Sequence, residues 1–149
     1  GKDEIVAAWN TITARIQAIE PGAVIDGMLV QPMAAGQEVI IGMKRDKIFG
    51  PVIVFGLGGI FVEIMKDVTM RIAPIDMAEA LRQIETIRSV RMLDGVRGLP
   101  PVNKAALAQI LARLSALAME HPEIEEIDLN PVMVNAETAT IVDARFMIA

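Results

Sequence analysis

Cysteine is absent from the 149 residues, which excludes disulfide bridges, thiolate metal sites and a thiol nucleophile. Tyrosine is absent too, and one Trp with four Phe cannot build a platform for stacking bases. Positive charge is not in excess. A net charge of −5 argues against a nucleic-acid backbone as partner, because such binding needs clustered Lys and Arg. Long apolar runs are missing as well: the longest, residues 51–62, has twelve residues, against the roughly 20 that a membrane helix needs. No membrane partner is expected. The N-terminus shows no basic start followed by an apolar stretch, so no export signal is read there. A soluble, cytoplasmic protein is the expectation. The single histidine, His121 in "MEHPEIEE", reads as a solvated helix-end residue.

What is present is apolar and patterned. Hydrophobic residues make up 53% and charged ones 22%, the balance of a globular chain. A chain of this length buries roughly 70% of its unfolded surface, so one domain, residues 1–149, is expected.

The first segment, "DEIVAAWNTITARIQAIEP", places Ile5, Val6, Trp9, Ile12, Ile16 and Ile19 at helical spacing. Asp3 can cap it, and Pro21-Gly22 ends it. "AVIDGMLVQPM" is strand-like, "AAGQ" a turn, and "EVIIGMKRD" a second strand. "KIFG" turns the chain into "PVIVFGLGG" and then "IFVEIMKDVTMRIAP". Two helices follow. "IDMAEALRQIETIRSV" is moderately amphipathic; "NKAALAQILARLSALAMEH" carries a stripe of Leu107, Ile110, Leu111, Leu114 and Leu117, with Asn103 as its cap. Between them "LDGVRGLPPV" is a loop. One helix, four or five strands, two helices and a closing hairpin predict an α+β fold, a mixed or mainly antiparallel sheet with helices packed on it.

The closing hairpin, "IDLNPVMVNAETATIVDAR", holds two carboxylates and an amide among apolar strand residues. Alternation puts Asp128 and Asn130 on one face. With a two-residue loop at Ala136-Glu137, Asn130 lies opposite Asp143. With a four-residue loop, Asn130 faces Arg145 and Asp143 is a diagonal neighbour. Both registers put Asn130 and Asp143 on one face, about 5 to 8 Å apart. Magnesium suits such a set, since it prefers hard oxygen ligands and fills its octahedron with water and substrate phosphates. On the residues alone, a bent strand at Asn130-Pro131 and a surface pair between Asp143 and Arg145 are the simpler reading of the pattern. The glycines of "FGLGG" let backbone amides approach a phosphate, or merely make a tight turn. Their spacing matches neither the dinucleotide fingerprint nor a Walker loop.

The order of these motifs resembles the ATP-grasp part of ADP-forming (NDP-forming) acyl-CoA synthetases, relatives of the succinyl-CoA synthetase β-subunit. The residues that carry the resemblance are "GMLVQPMAAGQEVIIGMKRDKIFGPVIVFGLGGIFVE" at 27–63, "DVTMRIAP" at 67–74, "GVRG" at 95–98, and "EIDLNPVMV" with "IVDAR" at the end. The resemblance implies a nucleotide site between two lobes. Residues 30–33 would meet the adenine, with Val30 and Gln31 in that segment and Met33 packing on the ring. Glu38 would reach the ribose, and Gly58 and Gly59 would lie on the phosphate side. Asn130 and Asp143 would be magnesium ligands, with Asp128 supporting them. Arg71 and Arg97 are candidates for neutralising phosphate charge, and surface salt bridges would explain both.

The implied chemistry is an acid–CoA ligase reaction using ATP, through an acyl phosphate and a phosphohistidine. Coenzyme A, the phosphohistidine and a phosphate-contacting lysine would come from domains or a subunit outside residues 1–149. The chain then reads as an excised C-terminal lobe, inactive alone, whose exposed apolar surface could form a homodimer. Two alternatives stand beside this reading: a non-catalytic regulatory ATP-grasp module, as in fusions to acetyltransferases, and a carboxylate–amine ligase. The "FGPVIVFGLGGIFVE" run argues against the second. The acyl substrate stays open among short-chain, branched and aromatic acids.

Overall fold

A computed structural model of the chain describes residues 1–59, 67–96, 98 and 100–149. They divide into two compact units, Gly1–Met33 and Ala34–Ala149.

The first unit is helix α1 (Lys2–Ile19) followed by the Pro21-Gly22 turn and an extended stretch. The helix starts two residues earlier than a cap at Asp3 would allow: Gly1 is the cap, and Asp3 sits in the first turn, where a carboxylate complements the helix dipole. "AVIDGMLVQPM" forms no strand among the described residues. Its backbone has no ladder partner, and Val24 and Leu29 are 86% and 83% exposed.

Among the described residues the second unit is a six-stranded antiparallel sheet with two α-helices. In chain order it runs β1 (Gln37–Asp46), β2 (Gly50–Leu57), β3 (Val68–Ile72), α2 (Met77–Glu85), a 3₁₀ turn (Val90–Met92), α3 (Lys104–Glu120), β4 (Ile124–Val134), β5 (Ala139–Ile141) and β6 (Ala144–Ile148). The spatial order is β3-β2-β1-β4-β5, with β6 also paired to β4. Strand alternation decides the layers. Val39, Ile41 and Met43 of β1, Ile53, Phe55 and Leu57 of β2, and Ile127, Leu129, Val132 and Val134 of β4 are buried beneath the helices. They meet Ala80 and Ile84 of α2 and Leu107, Leu111 and Leu114 of α3, residues spaced three or four apart so that each helix offers one stripe.

Both helices are capped by side chains. Asp76 Oδ1 accepts from the Glu79 N–H at 2.7 Å, and Asn103 Oδ1 from the Ala106 N–H at 2.9 Å. The predicted helix from "IDMAEALRQIETIRSV" stops at Glu85, and the chain continues into the 3₁₀ turn. At the C-terminus of α3 the Arg45 guanidinium donates to the carbonyls of Ala118, His121 and Ile124 at 2.8, 3.0 and 3.0 Å, satisfying acceptors that the helix leaves open. The buried Gln83 donates from Nε2 to the carbonyls of Ile53 and Thr69, tying β2 and β3 to α2. No described helix is long and apolar enough to cross a membrane.

Candidate functional site

The face of the sheet away from α2 and α3 is left open by the described residues, and a fault in the β4 alternation brings the polar residues onto it. Pairing between β1 and β4 slips between Val39 and Ile41. Leu129 and Val132 are both buried, so Asn130 and Pro131 both turn away from the core. This is a bulge, the device by which a strand re-aims a side chain.

Across the bulge the closing hairpin adopts the register in which Asn130 lies directly opposite Asp143. The Asn130 N–H donates to the Asp143 carbonyl at 3.2 Å, and the Val142 N–H to the Pro131 carbonyl at 3.0 Å. The turn is Ala136-Glu137. It is closed by an Asn135 N–H bond to the Thr138 carbonyl at 3.0 Å, while Asn135 Oδ1 accepts from the N–H groups of Glu137 and Thr138. The second arm is not one strand: β5 and β6 flank a break at residues 142–143, and both pair with β4.

Asp128 pairs with Gly42 on one side and Arg145 on the other, so it shares the open face with Asn130 and Asp143. Asn130 and Asp143 are exposed and Asp128 is half-buried, so no charge is stranded away from water. Arg145 Nε stands 3.7 Å from the Asp143 carboxylate, an exposed pair of small energetic weight. Among the described residues no three His, Cys, Asp or Glu side chains could hold a metal ion by themselves. The donor set is instead one amide oxygen and two carboxylates. Such a set fits a small hard cation that draws its other ligands from water and phosphate.

Glu38 and the glycine turn come together. The Gly58 N–H donates to the Glu38 carbonyl at 2.8 Å, and a Cβ on Gly58 would stand 2.8 Å from Glu38 Cβ. Gly59 has φ +67°, a left-handed conformation that suits glycine, and a Cβ there would lie 3.0 Å from Glu38 Oε2. Both glycines are therefore required by local geometry. Next along β1, the missing side chain of Gly42 opens a hollow of about 200 Å³, walled by Ile40, Val54, Lys44, Glu126 and Asp128.

Arg71 does not reach this face. It pairs with the buried Ile53 on the helix side, and its Nε donates to Glu79 Oε1 at 2.7 Å and its Nη2 to Thr86 Oγ1 at 3.2 Å. Hydrogen bonds from Arg71 and Arg82 hold the Glu79 carboxyl below the usual range. Of the two readings open for Arg71, phosphate neutralisation or a salt bridge, the salt bridge is the one found, because alternation places Arg71 on the helix side of the sheet. Arg97 lies outside the described residues, as does "IFVEIMK". His121 ends α3 in solvent beside Glu123 at 3.0 Å, as its sequence position suggested.

Val30, Gln31 and Met33 belong to the first unit, where they are exposed and, with Ile5, Trp9 and Ile12, line a hollow of about 580 Å³.

These features define a class. The ATP-grasp domain family matches residues 1–148, and the chain belongs to it. Its relatives are ADP-forming acid–CoA ligases. It is 46% identical over 147 residues to the beta subunit of an ADP-forming acetate–CoA ligase I of Pyrococcus furiosus, covering 98% of this chain and 63% of that subunit. It is 43% identical over 149 residues to the ADP-forming acetate–CoA ligase I of Archaeoglobus fulgidus, covering 99% of this chain and 22% of that one. A solved structure of the Ca. Korarchaeum cryptofilum dinucleotide forming acetyl-coenzyme A synthetase 1, with coenzyme A and Ca-AMPCP, aligns with a TM-score of 0.84 at 36% identity, over all of this chain and 66% of that one. A second structure of that synthetase, with Mg-AMPPCP and its phosphohistidine segment pointing towards the nucleotide binding site, aligns with a TM-score of 0.74 at 40% identity, over 81% of this chain and 55% of that one. The chain thus spans about two thirds of the beta subunit and less than a quarter of the single-chain ligase.

Proposed function

We propose that this chain is the Mg·ATP-binding part of an ADP-forming acid–CoA ligase. The observation that carries the reading is Asn130 backbone-bonded directly opposite Asp143 on the open face of the sheet. Asn130 would offer its amide oxygen and Asp143 a carboxylate to magnesium, with Asp128 supporting them from β4. Bound there with ATP, magnesium would stabilise charge on the transferring phosphoryl group. The protein's own part would be to hold Asp128 and Asn130 on β4 with Asp143 at the break between β5 and β6, and to let the Gly58-Gly59 backbone approach the phosphates.

Glu38 sits at the glycine turn, which supports a ribose contact at Glu38 beside a phosphate-side backbone at Gly58-Gly59. The adenine contacts expected at Val30, Gln31 and Met33 belong to the same reading as proposals. So do coenzyme A, the acid and the phosphohistidine, which would come from other domains or a partner subunit. The relatives at 46% and 43% identity are ligases, which favours an enzyme over a regulatory module.

Thermal unfolding with and without Mg·ATP tests this, in the chain and in its complete native protein, beside Asn130→Ala and Asp143→Ala. Ligand at about 100 times its dissociation constant adds roughly 2.7 kcal/mol, or several degrees at about 2–4 °C per kcal/mol. The expected result is a magnesium-dependent rise that both substitutions abolish. A complete native protein that shows no rise sinks the reading.

A further inference from the structure

Asp67 opens the stretch "DVTMRIAP", and its side chain is 9% exposed. Three donors converge on its carboxylate: the Arg88 N–H at 3.0 Å, the Ser89 N–H at 2.7 Å, and the Ser89 hydroxyl. All three come from the segment between α2 and the 3₁₀ turn, 21 and 22 residues further along. Two backbone donors and a hydroxyl allow the carboxylate one orientation.

The Asp67 backbone does something different. Gly56 faces the open side, since Phe55 and Leu57 beside it are buried under the helices. A Cβ on Gly56 would come 2.9 Å from the Asp67 carbonyl oxygen and 2.8 Å from Val68 Cγ1. Val68 is the β3 partner of Gly56, and its side chain and the Asp67 carbonyl together close over Gly56 on the open face. Gly56 pairs with Ile40 of β1, and Ile40 sits at the slip where β4 bulges out Asn130. The cover over Gly56 thus stands about two strand spacings, roughly 10 Å, from Asn130, with Asp143 one strand beyond. A nucleotide whose metal end rests on Asn130 and Asp143 has this cover as its facing wall.

We propose that Asp67 is a positioning residue for nucleotide binding: anchored by Arg88 and Ser89, it fixes the wall over Gly56 opposite Asn130 and Asp143. The inference rests on the Mg·ATP reading above. The carboxylate is locked into the helix layer, and its own peptide forms the wall, so the wall cannot shift unless those bonds break. An asparagine at 67 presents an NH₂ where one backbone N–H needs an acceptor, which releases one anchor in either amide orientation. Ser89→Ala is milder, since it removes the hydroxyl and keeps both backbone donors.

The test uses the complete native protein, with any partner subunit, and reads KM for ATP, kcat and the calorimetric dissociation constant of Mg·ATP. Asp67→Asn is expected to raise KM and the dissociation constant about tenfold, and Ser89→Ala about threefold, the range that one lost hydrogen bond supplies. Neither should move kcat by more than about twofold, because the cover binds and does not react. Ser89→Thr keeps the hydroxyl and should bind as the unsubstituted protein does. If Asp67→Asn and Ser89→Ala lower the melting temperature but leave KM and the dissociation constant unchanged, the clamp is purely structural and the proposal is overturned. An unsubstituted protein that binds no Mg·ATP removes the nucleotide reading itself, and the two failures are distinct.

Discussion

Phe55 and Val54 are neighbours on β2 and share its hydrogen bonds, yet they live in different environments. Phe55 is fully buried against the helices, while Val54 is half-exposed beside Met70 on the open face. The same contrast runs along β4, where Ile127 and Leu129 are buried and Asp128 and Asn130 are not. One face is built to be filled, and its tolerance is set by packing density. The other is more accessible: Asn130 is exposed and Val54 and Asp128 are half-buried, although Gly56 and Gly58 leave no room for an added methyl. The lesson is that a two-sided sheet can separate stability from binding within single strands. Sequence neighbours then predict little about each other's mutational effects.

The sharpest way to break this comparison is to truncate one apolar side chain on each face. Phe55→Ala is expected to cost about 3–5 kcal/mol through the cavity it leaves, whereas Met70→Ala, at a residue 59% exposed, should stay within about 0.5 kcal/mol. Denaturant midpoints of the two variants measure the difference directly, and equal losses would mean that the open face is itself buried in the native protein.

A smaller effect sharpens the boundary between the faces. Gly58→Ala brings a Cβ to 2.8 Å from Glu38 Cβ and 3.0 Å from its carbonyl carbon, so the glycine turn or β1 must give way, at about 1–3 kcal/mol. The melting temperature should fall modestly, and Mg·ATP binding should weaken by more than the stability loss alone explains. A normal dissociation constant would show that the turn has no part in binding.

The smallest effect is on pH dependence. Burial pushes the Asp67 carboxyl up, but the hydrogen bonds from Ser89 Oγ and the Arg88 and Ser89 backbone, with the Arg88 charge, outweigh it and hold the group below the usual range. A carboxyl depressed in the folded state adds stability above its unfolded value, near pH 4, and loses it as pH falls through the lower folded value. Acid unfolding scans should therefore show the unsubstituted protein losing part of its margin below about pH 4, with Asp67→Asn already weaker at neutral pH and less sensitive to acid. Parallel acid limbs would show that other carboxylates carry the effect.

How much of this was legible beforehand can be judged residue by residue. Helix α3 was, because Leu107, Leu111 and Leu114 repeat at the helical period and Asn103 caps them. The Asn130–Asp143 pair was legible as two registers, and alternation alone could not choose between them. Asp67 stood in a motif that carried the family resemblance, but no local pattern shows that its partners lie 21 and 22 residues on. Arg71 stayed open for the same reason: a charge in a strand has no readable side until its neighbours are known. The strand expected at "AVIDGMLVQPM" failed because β-propensity needs a ladder partner to become a strand.

Composition and periodicity by themselves determined a globular α+β chain with no disulfides and no membrane-spanning helix. They also showed two carboxylates and an amide among the apolar residues of the closing hairpin, and a glycine-rich turn after an apolar strand. Those properties depend on residue type and on spacing along the chain. Only the tertiary structure decided which face each side chain occupies, that the β4 bulge turns Asn130 towards Asp143, that Glu38 lies under the glycine turn, and that Asp67 joins the sheet edge to the helix layer. Register and long-range contacts set these outcomes, because a one-residue slip in pairing reverses every side chain on a strand.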